Sequence, residues 1–83
     1  MEIIIYTSTG CFYCVQVKKL CKRAELEYKE IAVGIDIKLE ELLELYPDCK
    51  GYPYVIIDGE PIGGLVETAK KFVKEGLVSS GKR

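Results

Sequence analysis

Cys11 and Cys14 stand two residues apart in the stretch Thr9-Gly10-Cys11-Phe12-Tyr13-Cys14. The apolar run Ile3-Ile4-Ile5-Tyr6 before it reads as a buried strand, and Val15 to Ala24 after it reads as an amphipathic helix. The two thiols therefore straddle a helix start. There the first N–H groups lack intrahelical partners and lie at the positive end of the helix dipole, which stabilises a thiolate. A free cysteine has a pKa of about 8.5, and a helix N-terminus inside a Cys-x-x-Cys lowers it to roughly 3.5–7.5. Cys11, at the cap and facing solvent, is the better attacking group, whereas Cys14, one turn into the helix, lies further in. An attacking thiol of low pKa with a partner one turn away is what reversible dithiol–disulfide exchange requires.

Other uses of the four cysteines fit less well. Structural zinc takes four thiolates as two close pairs, but Cys21 and Cys49 are separated by 27 residues and the chain has no histidine. A disulfide-stapled scaffold suits a chain that cannot build a core, and the strong apolar segments here build one. Cys21 shares a helical face with Cys14, Val17 and Ala24, with Leu20 beside them, and reads as a small buried hydrophobe. Cys49 lies in a loop with no helix N-terminus to lower its pKa and reads as a bystander.

The elements around the cysteines follow in order. A first strand spans Glu2 to Thr7, and Gly10 loosens the loop that leads into the cysteine turn. Lys18, Lys19, Lys22 and Arg23 mark the solvated face of the first helix. Leu26 to Val33 is a second strand ended by Gly34, so strand, helix and strand form a βαβ unit with a parallel pair and a right-handed crossover. A second helix runs from about Ile37 to Tyr46 with Asp36 as its N-cap. Leu39, Leu42, Leu43 and Tyr46 lie on its inner face, and Pro47 ends it. Tyr54 to Ile57 and Glu60-Pro61-Ile62 are strands joined at Asp58-Gly59, the second confined to an edge by its proline. The last helix spans Leu65 to Glu75 with Leu65, Ala69, Phe72 and Val73 inward, and Ser79 to Arg83 reads as a loose tail.

The order β-α-β-α-β-β-α, with Cys-x-x-Cys opening the first helix, resembles the glutaredoxin family of the thioredoxin-like fold. Cys11-Phe12-Tyr13-Cys14 stands where that family has Cys-Pro-Tyr-Cys, Gly51-Tyr52-Pro53 where it has Thr-Val-Pro, and Gly63-Gly64 where it has a glycine pair. The resemblance implies an α/β fold with a four-stranded mixed sheet flanked by three helices, in one domain covering residues 1–78. It also implies roles: Cys11 as nucleophile, Cys14 as resolving thiol, and Pro53 in the cis form. Tyr13, Lys50, Tyr52, Pro53, Gly63, Gly64 and Glu67 would then line a glutathione groove. Glutathione would be cosubstrate, with no tightly bound cofactor and no metal.

Three positions depart from the family pattern. Phe12 replaces the proline between the cysteines, Ser8 stands where many members carry a lysine or arginine, and Leu65-Val66-Glu67 replaces a stretch that often ends in a small hydroxyl residue and aspartate. The resemblance thus implies reduction of protein disulfides and glutathione mixed disulfides. Two other roles are an electron donor fed by a thioredoxin reductase, for example to ribonucleotide reductase, and an iron–sulfur cluster carrier. Of the 83 residues 48% are hydrophobic and 30% charged, with a net charge of −1 and no basic stripe, which argues against a nucleic-acid partner. No apolar stretch approaches the ~20 residues needed to cross a bilayer, and no secretory leader opens the chain. A monomeric cytoplasmic protein is expected.

Overall fold

The computed structural model describes residues 1–78, and its central strand, Ile3–Thr7 (β1), is apolar toward both sides of the sheet. Side chains alternate across a strand, so a run without polar interruption needs cover on both faces. Three helices supply it: Phe12–Arg23 (α1), Leu39–Leu45 (α2) and Leu65–Lys74 (α3). β1 pairs in parallel with Lys29–Ala32 (β2) and antiparallel with Tyr54–Ile57 (β3), which pairs antiparallel with Glu60–Gly63 (β4). The sheet order is β2-β1-β3-β4, a thioredoxin-like mixed sheet with Pro61 on an edge strand, as expected. Among the described residues no helix is long and apolar enough to cross a membrane. The expected tail, residues 79–83, lies outside the described residues.

The alternation of β1 and β3 separates two cores. Ile3, Ile5, Val55 and Ile57 pack with Val17 and Cys21 of α1 and Phe72 of α3. Ile4, Tyr6, Tyr54 and Ile56 pack with Leu42 of α2 and with Tyr46 on the other side. Tyr46 joins this second core through edge and tilted ring contacts to Tyr6 and Tyr54, at centroid distances of 6.0 and 5.7 Å. Asp58 and Gly59 both take positive φ, the geometry of a two-residue hairpin turn. Asp58 also ties the turn to the chain start, its Oδ1 accepting the Glu2 N–H at 2.7 Å.

Several boundaries differ from the sequence expectation, each for a local reason. α1 begins at Phe12 with Cys11 as its cap, as expected, three residues ahead of the amphipathic pattern that starts at Val15, and the Cys11 sulfur accepts the Cys14 N–H there. β2 begins at Lys29 rather than Leu26. Leu26 instead completes a Schellman closure of α1, its N–H donating to the Cys21 carbonyl while the Glu25 N–H donates to Lys22 with φ +59°. Glycine usually occupies that left-handed position, so a glutamate there gives no stop signal. α3 closes in the same way through Gly76 and Leu77.

Asp36 is not the cap of α2. Its carboxylate turns back to accept the Ala32 N–H at 2.9 Å, and the helix starts after Lys38, whose N–H donates to Glu41 Oε1 at 2.8 Å. Of the four residues assigned to the inner face of α2, Leu42 is fully buried and Tyr46 partly so. Leu39 and Leu43 are exposed, because so short a helix meets the sheet along one narrow line. On α3 the inward stripe is Leu65, Thr68, Ala69 and Phe72; Val73, expected inward, is exposed.

Thr68 is fully buried, and its hydroxyl has no hydrogen-bond partner among the described residues. A buried unsatisfied hydroxyl costs about 1–3 kcal/mol. Thr68→Val keeps the shape and removes that cost, so it should raise the urea midpoint by the equivalent of about 1 kcal/mol with an unchanged denaturant slope. An unchanged or lower midpoint would show that the hydroxyl is satisfied.

Candidate active site

The turn from β1 into α1 places the two thiols. Gly10, with φ +75°, bends the chain in a conformation that a side chain would strain, and extended Cys11 follows as N-cap. Cys11 is half-exposed and Cys14 buried, their Cα atoms are 5.3 Å apart, and the two are joined as a disulfide. Phe12 and Tyr13 between them are 67% and 58% exposed and meet edge to face at 5.5 Å, so the turn carries two exposed aromatic rings.

Hollows open on both flanks of this turn. On one, a hollow of about 410 Å³ is lined by Cys11, Cys14, Thr7, Ser8, Lys18 and Glu30 among others. The Glu30 carboxylate accepts the Thr7 hydroxyl at 2.9 Å and pairs with Lys18 at 3.2 Å. Lys18 is therefore more than a solubilising residue. Its spacing of four from Cys14 puts both on one side of α1, which is the signal that could have found it. The pair is part-exposed, so its contribution to stability is that of a surface ion pair, about 0–1 kcal/mol.

The other flank collects all the residues assigned to a groove. Tyr13, Tyr52, Pro53, Gly64 and Glu67 line a hollow of about 260 Å³. It continues into one of about 410 Å³ lined by Lys50, Tyr52, Pro53, Gly63, Gly64 and Glu67. The Tyr52–Pro53 bond is cis. Ser8 lies on the opposite flank, so the position where the family's cation stands faces Lys18 and Glu30 here. Sequence reading missed Asp48, which lines the larger hollow. Glu67 accepts the Gly64 N–H at 3.0 Å and folds so closely over Gly63 that a Cβ there would come 3.0 Å from its Cγ. Gly63, at φ +125°, thus serves both the backbone turn and this close approach.

The two remaining thiols lie on opposite faces of the sheet, Cys21 in the α1/α3 core and Cys49 against the α2 side, so the four sulfurs are not brought together. Burial pushes the Cys21 thiol up to about 11. Cys49 is partly buried, with its sulfur 3.6 Å from the Gly51 carbonyl oxygen to which it donates. The Tyr52 phenol is held above its ordinary value, first by burial and then by neighbouring Cys49.

A helix-capping cysteine pair beside a cis-proline groove on this sheet defines a thiol–disulfide oxidoreductase of thioredoxin-like fold. The family model for Glutaredoxin matches residues 3–62. Glutaredoxin 1 of Rickettsia bellii is 37% identical over 68 residues, spanning 75% of this chain and 67% of that protein. The reduced Escherichia coli glutaredoxin superposes with a TM-score of 0.72 at 28% identity, covering 93% of this chain and 98% of its own. A buckwheat glutaredoxin solved as a complex with glutathione superposes with a TM-score of 0.68 at 25% identity, covering 90% and 70%. The chain belongs to the glutaredoxin family.

Cys21 gives the site's surroundings a measurable pH signature. Its thiol pKa is raised from 9.0 to about 11 in the fold, so folding retains a proton that the unfolded chain releases. The sign follows: this contribution is whole below 9.0 and is lost as pH rises toward 11. The urea midpoint should therefore fall across that window, and Cys21→Ala should fall less steeply. Tyr6, Tyr52 and Tyr54, also raised from 10.0, act in the same direction in both proteins. Parallel curves would remove Cys21 as the cause.

Proposed function

We propose that the protein reduces protein disulfides and glutathione mixed disulfides through a Cys11–Cys14 dithiol/disulfide couple, with glutathione as cosubstrate and no resident cofactor. The observation that carries this reading is the division of the pair: Cys11 half-exposed on the helix cap, Cys14 buried behind it. The Cys11 thiolate attacks one sulfur of the substrate disulfide, that S–S bond breaks, and the first substrate thiolate leaves. Cys14, deprotonated, then attacks the Cys11 sulfur, releasing the second substrate thiolate and leaving the Cys11–Cys14 disulfide. One glutathione thiolate opens that disulfide at Cys11, and a second takes the glutathionyl sulfur, leaving as glutathione disulfide. Two electrons pass from two glutathiones to the substrate.

The groove supports glutathione as that reductant. Tyr13, Lys50, Tyr52, Pro53, Gly63, Gly64 and Glu67 line contiguous hollows beside the disulfide, and a structural neighbour is a complex with glutathione. The tripeptide lies in this groove with its backbone along Tyr52 and its γ-glutamyl end toward the start of α3. The protein acts as a monomer in the cytoplasm, where glutathione keeps thiols reduced.

The two cysteines have separable duties in this scheme. Cys11→Ser should abolish reduction of both substrate types. Cys14→Ser should retain much of the activity on a glutathionylated substrate, since free glutathione resolves the intermediate, while losing most reduction of a protein disulfide. Equal loss in the two assays, followed through NADPH and glutathione reductase, would point to a strictly dithiol enzyme.

A further inference from the structure

α3 carries a second apolar line besides the one it buries. Val66 and Val73, 60% and 40% exposed, stand seven residues apart and so face the same way, with Ala69 between them. Single exposed apolar side chains are ordinary, but these line one hollow of about 460 Å³ together with Leu65, Lys70 and Lys74. Both charges on that hollow are positive. Lys71 pairs with Glu75 at 3.3 Å, whereas Lys70 and Lys74 make no ion pair among the described residues. The hollow is also continuous with the groove beside the cysteines, because Leu65 and Val66 line it and line the hollow of Tyr13, Pro53 and Gly64 as well. From Val66 to Val73 the helix rises roughly 10 Å, the length of about three extended residues.

We propose that the outer face of α3 at Ala69, Lys70, Val73 and Lys74 is a docking strip for protein substrates, which takes the segment N-terminal to the reacting cysteine and favours apolar residues alternating with aspartate or glutamate. This rests on the reading that substrates enter the Tyr13–Pro53–Gly64 groove. Glutathione, with its γ-glutamyl end at the start of α3, stops short of the strip. A protein chain running in the same direction has further residues ahead of its cysteine, and those continue along α3. Lys70 and Lys74 are one turn apart, about 6 Å along the helix, close to the ~6.6 Å between alternate side chains of an extended segment. One edge of such a segment therefore meets the two lysines while its other edge covers Ala69 and Val73. A second copy of this chain would bring the same two lysines to the face, the wrong charge for it.

The test holds the exchange at its mixed-disulfide stage. Cys14→Ser is loaded with glutathione disulfide, which leaves a glutathionyl group on Cys11, and is then equilibrated with glutathione and a cysteine peptide. The peptide thiolate displaces glutathione thiolate from the Cys11 sulfur, one S–S bond forming as one breaks, and mass spectrometry reads the ratio of the two mixed disulfides. Three peptides are compared: one with leucine between glutamates ahead of the cysteine, one with lysines in place of the glutamates, and one with serine in place of the leucine. Each ratio is divided by that of the same peptide with glutathione disulfide in free solution. The glutamate peptide should exceed the lysine peptide by about three- to tenfold at low salt, the scale of exposed ion pairs, and the excess should shrink as salt is added. Lys70→Gln together with Lys74→Gln should bring that excess close to unity, and Val73→Ser should narrow the lead of leucine over serine. Neither change should alter loading by glutathione disulfide. If glutathione loads Cys11 but the charged peptides compete equally, or their order survives the double lysine variant, the docking strip is overturned while the groove stands. A native dimer in sedimentation that Val73→Ser splits would assign the face to a second copy and overturn it as well. If neither glutathione nor any peptide forms a mixed disulfide with Cys11, the groove reading falls and this proposal with it.

Discussion

The hydrogen bond from the Cys14 N–H to the Cys11 sulfur is the contact on which the arrangement depends. It makes a sulfur atom serve as a helix cap, a task that serine, threonine, aspartate and asparagine usually perform. The first turn of α1 then has its donors aimed at the atom whose negative charge the exchange chemistry needs. The bond also fixes depth. With Cys11 as cap, Cys14 falls one turn later on the stripe that continues through Val17 and Cys21 into the core, so one thiol is half-exposed and the other buried.

That cap can be held only if the strand feeding it is immobile. β1 lies between β2 and β3, and its residues enter both cores in alternation. Moving β1 by one residue would turn Ile3 and Ile5 toward α2 and Ile4 and Tyr6 toward α1, undoing both cores together. β3 is locked in the same way, and Pro53 immediately precedes it. The cysteine turn and the cis-proline therefore leave neighbouring antiparallel strands at one end of the sheet, with Tyr6 and Tyr54 in register. The site's geometry is thus set mainly by buried aliphatic residues that never touch it.

What the sequence made legible follows from which interactions are periodic. The apolar runs of β1 and β3, the Asp58-Gly59 hairpin and the α1 stripe repeat with strand or helix spacing, and each was found where it was expected. What escaped was set by single hydrogen bonds that periodicity does not encode. Glu25 closes α1 in a left-handed conformation and Asp36 bonds back to Ala32, while on α3 the line of packing, with no side-chain hydrogen bond among the described residues, turns Thr68 inward and leaves Val73 exposed. The site divides similarly. The cysteines, the proline and the glycines stood out because their backbone or sulfur chemistry is unusual. Lys18, Glu30 and Asp48 are ordinary surface residues by type, and only the fold brings them beside the pair or the groove.

The same local device appears twice, and its surroundings decide what it means. At α2 the Glu41 carboxylate accepts the Lys38 N–H, and at α3 the Glu67 carboxylate accepts the Gly64 N–H; each is a residue at the third helical position satisfying the cap. At α2 the cap carries a lysine. At α3 the cap is a glycine beside Pro53, whose carbonyl oxygen would lie 3.5 Å from a Cβ at Gly64, so the glutamate stands in a groove walled by backbone. A carboxylate that merely starts one helix becomes, at the other, part of the surface a substrate must meet. The sequence contains both glutamates in equivalent local patterns, and only the pairing of β3 with β4, which carries Gly63 and Gly64 back beside Pro53, distinguishes them.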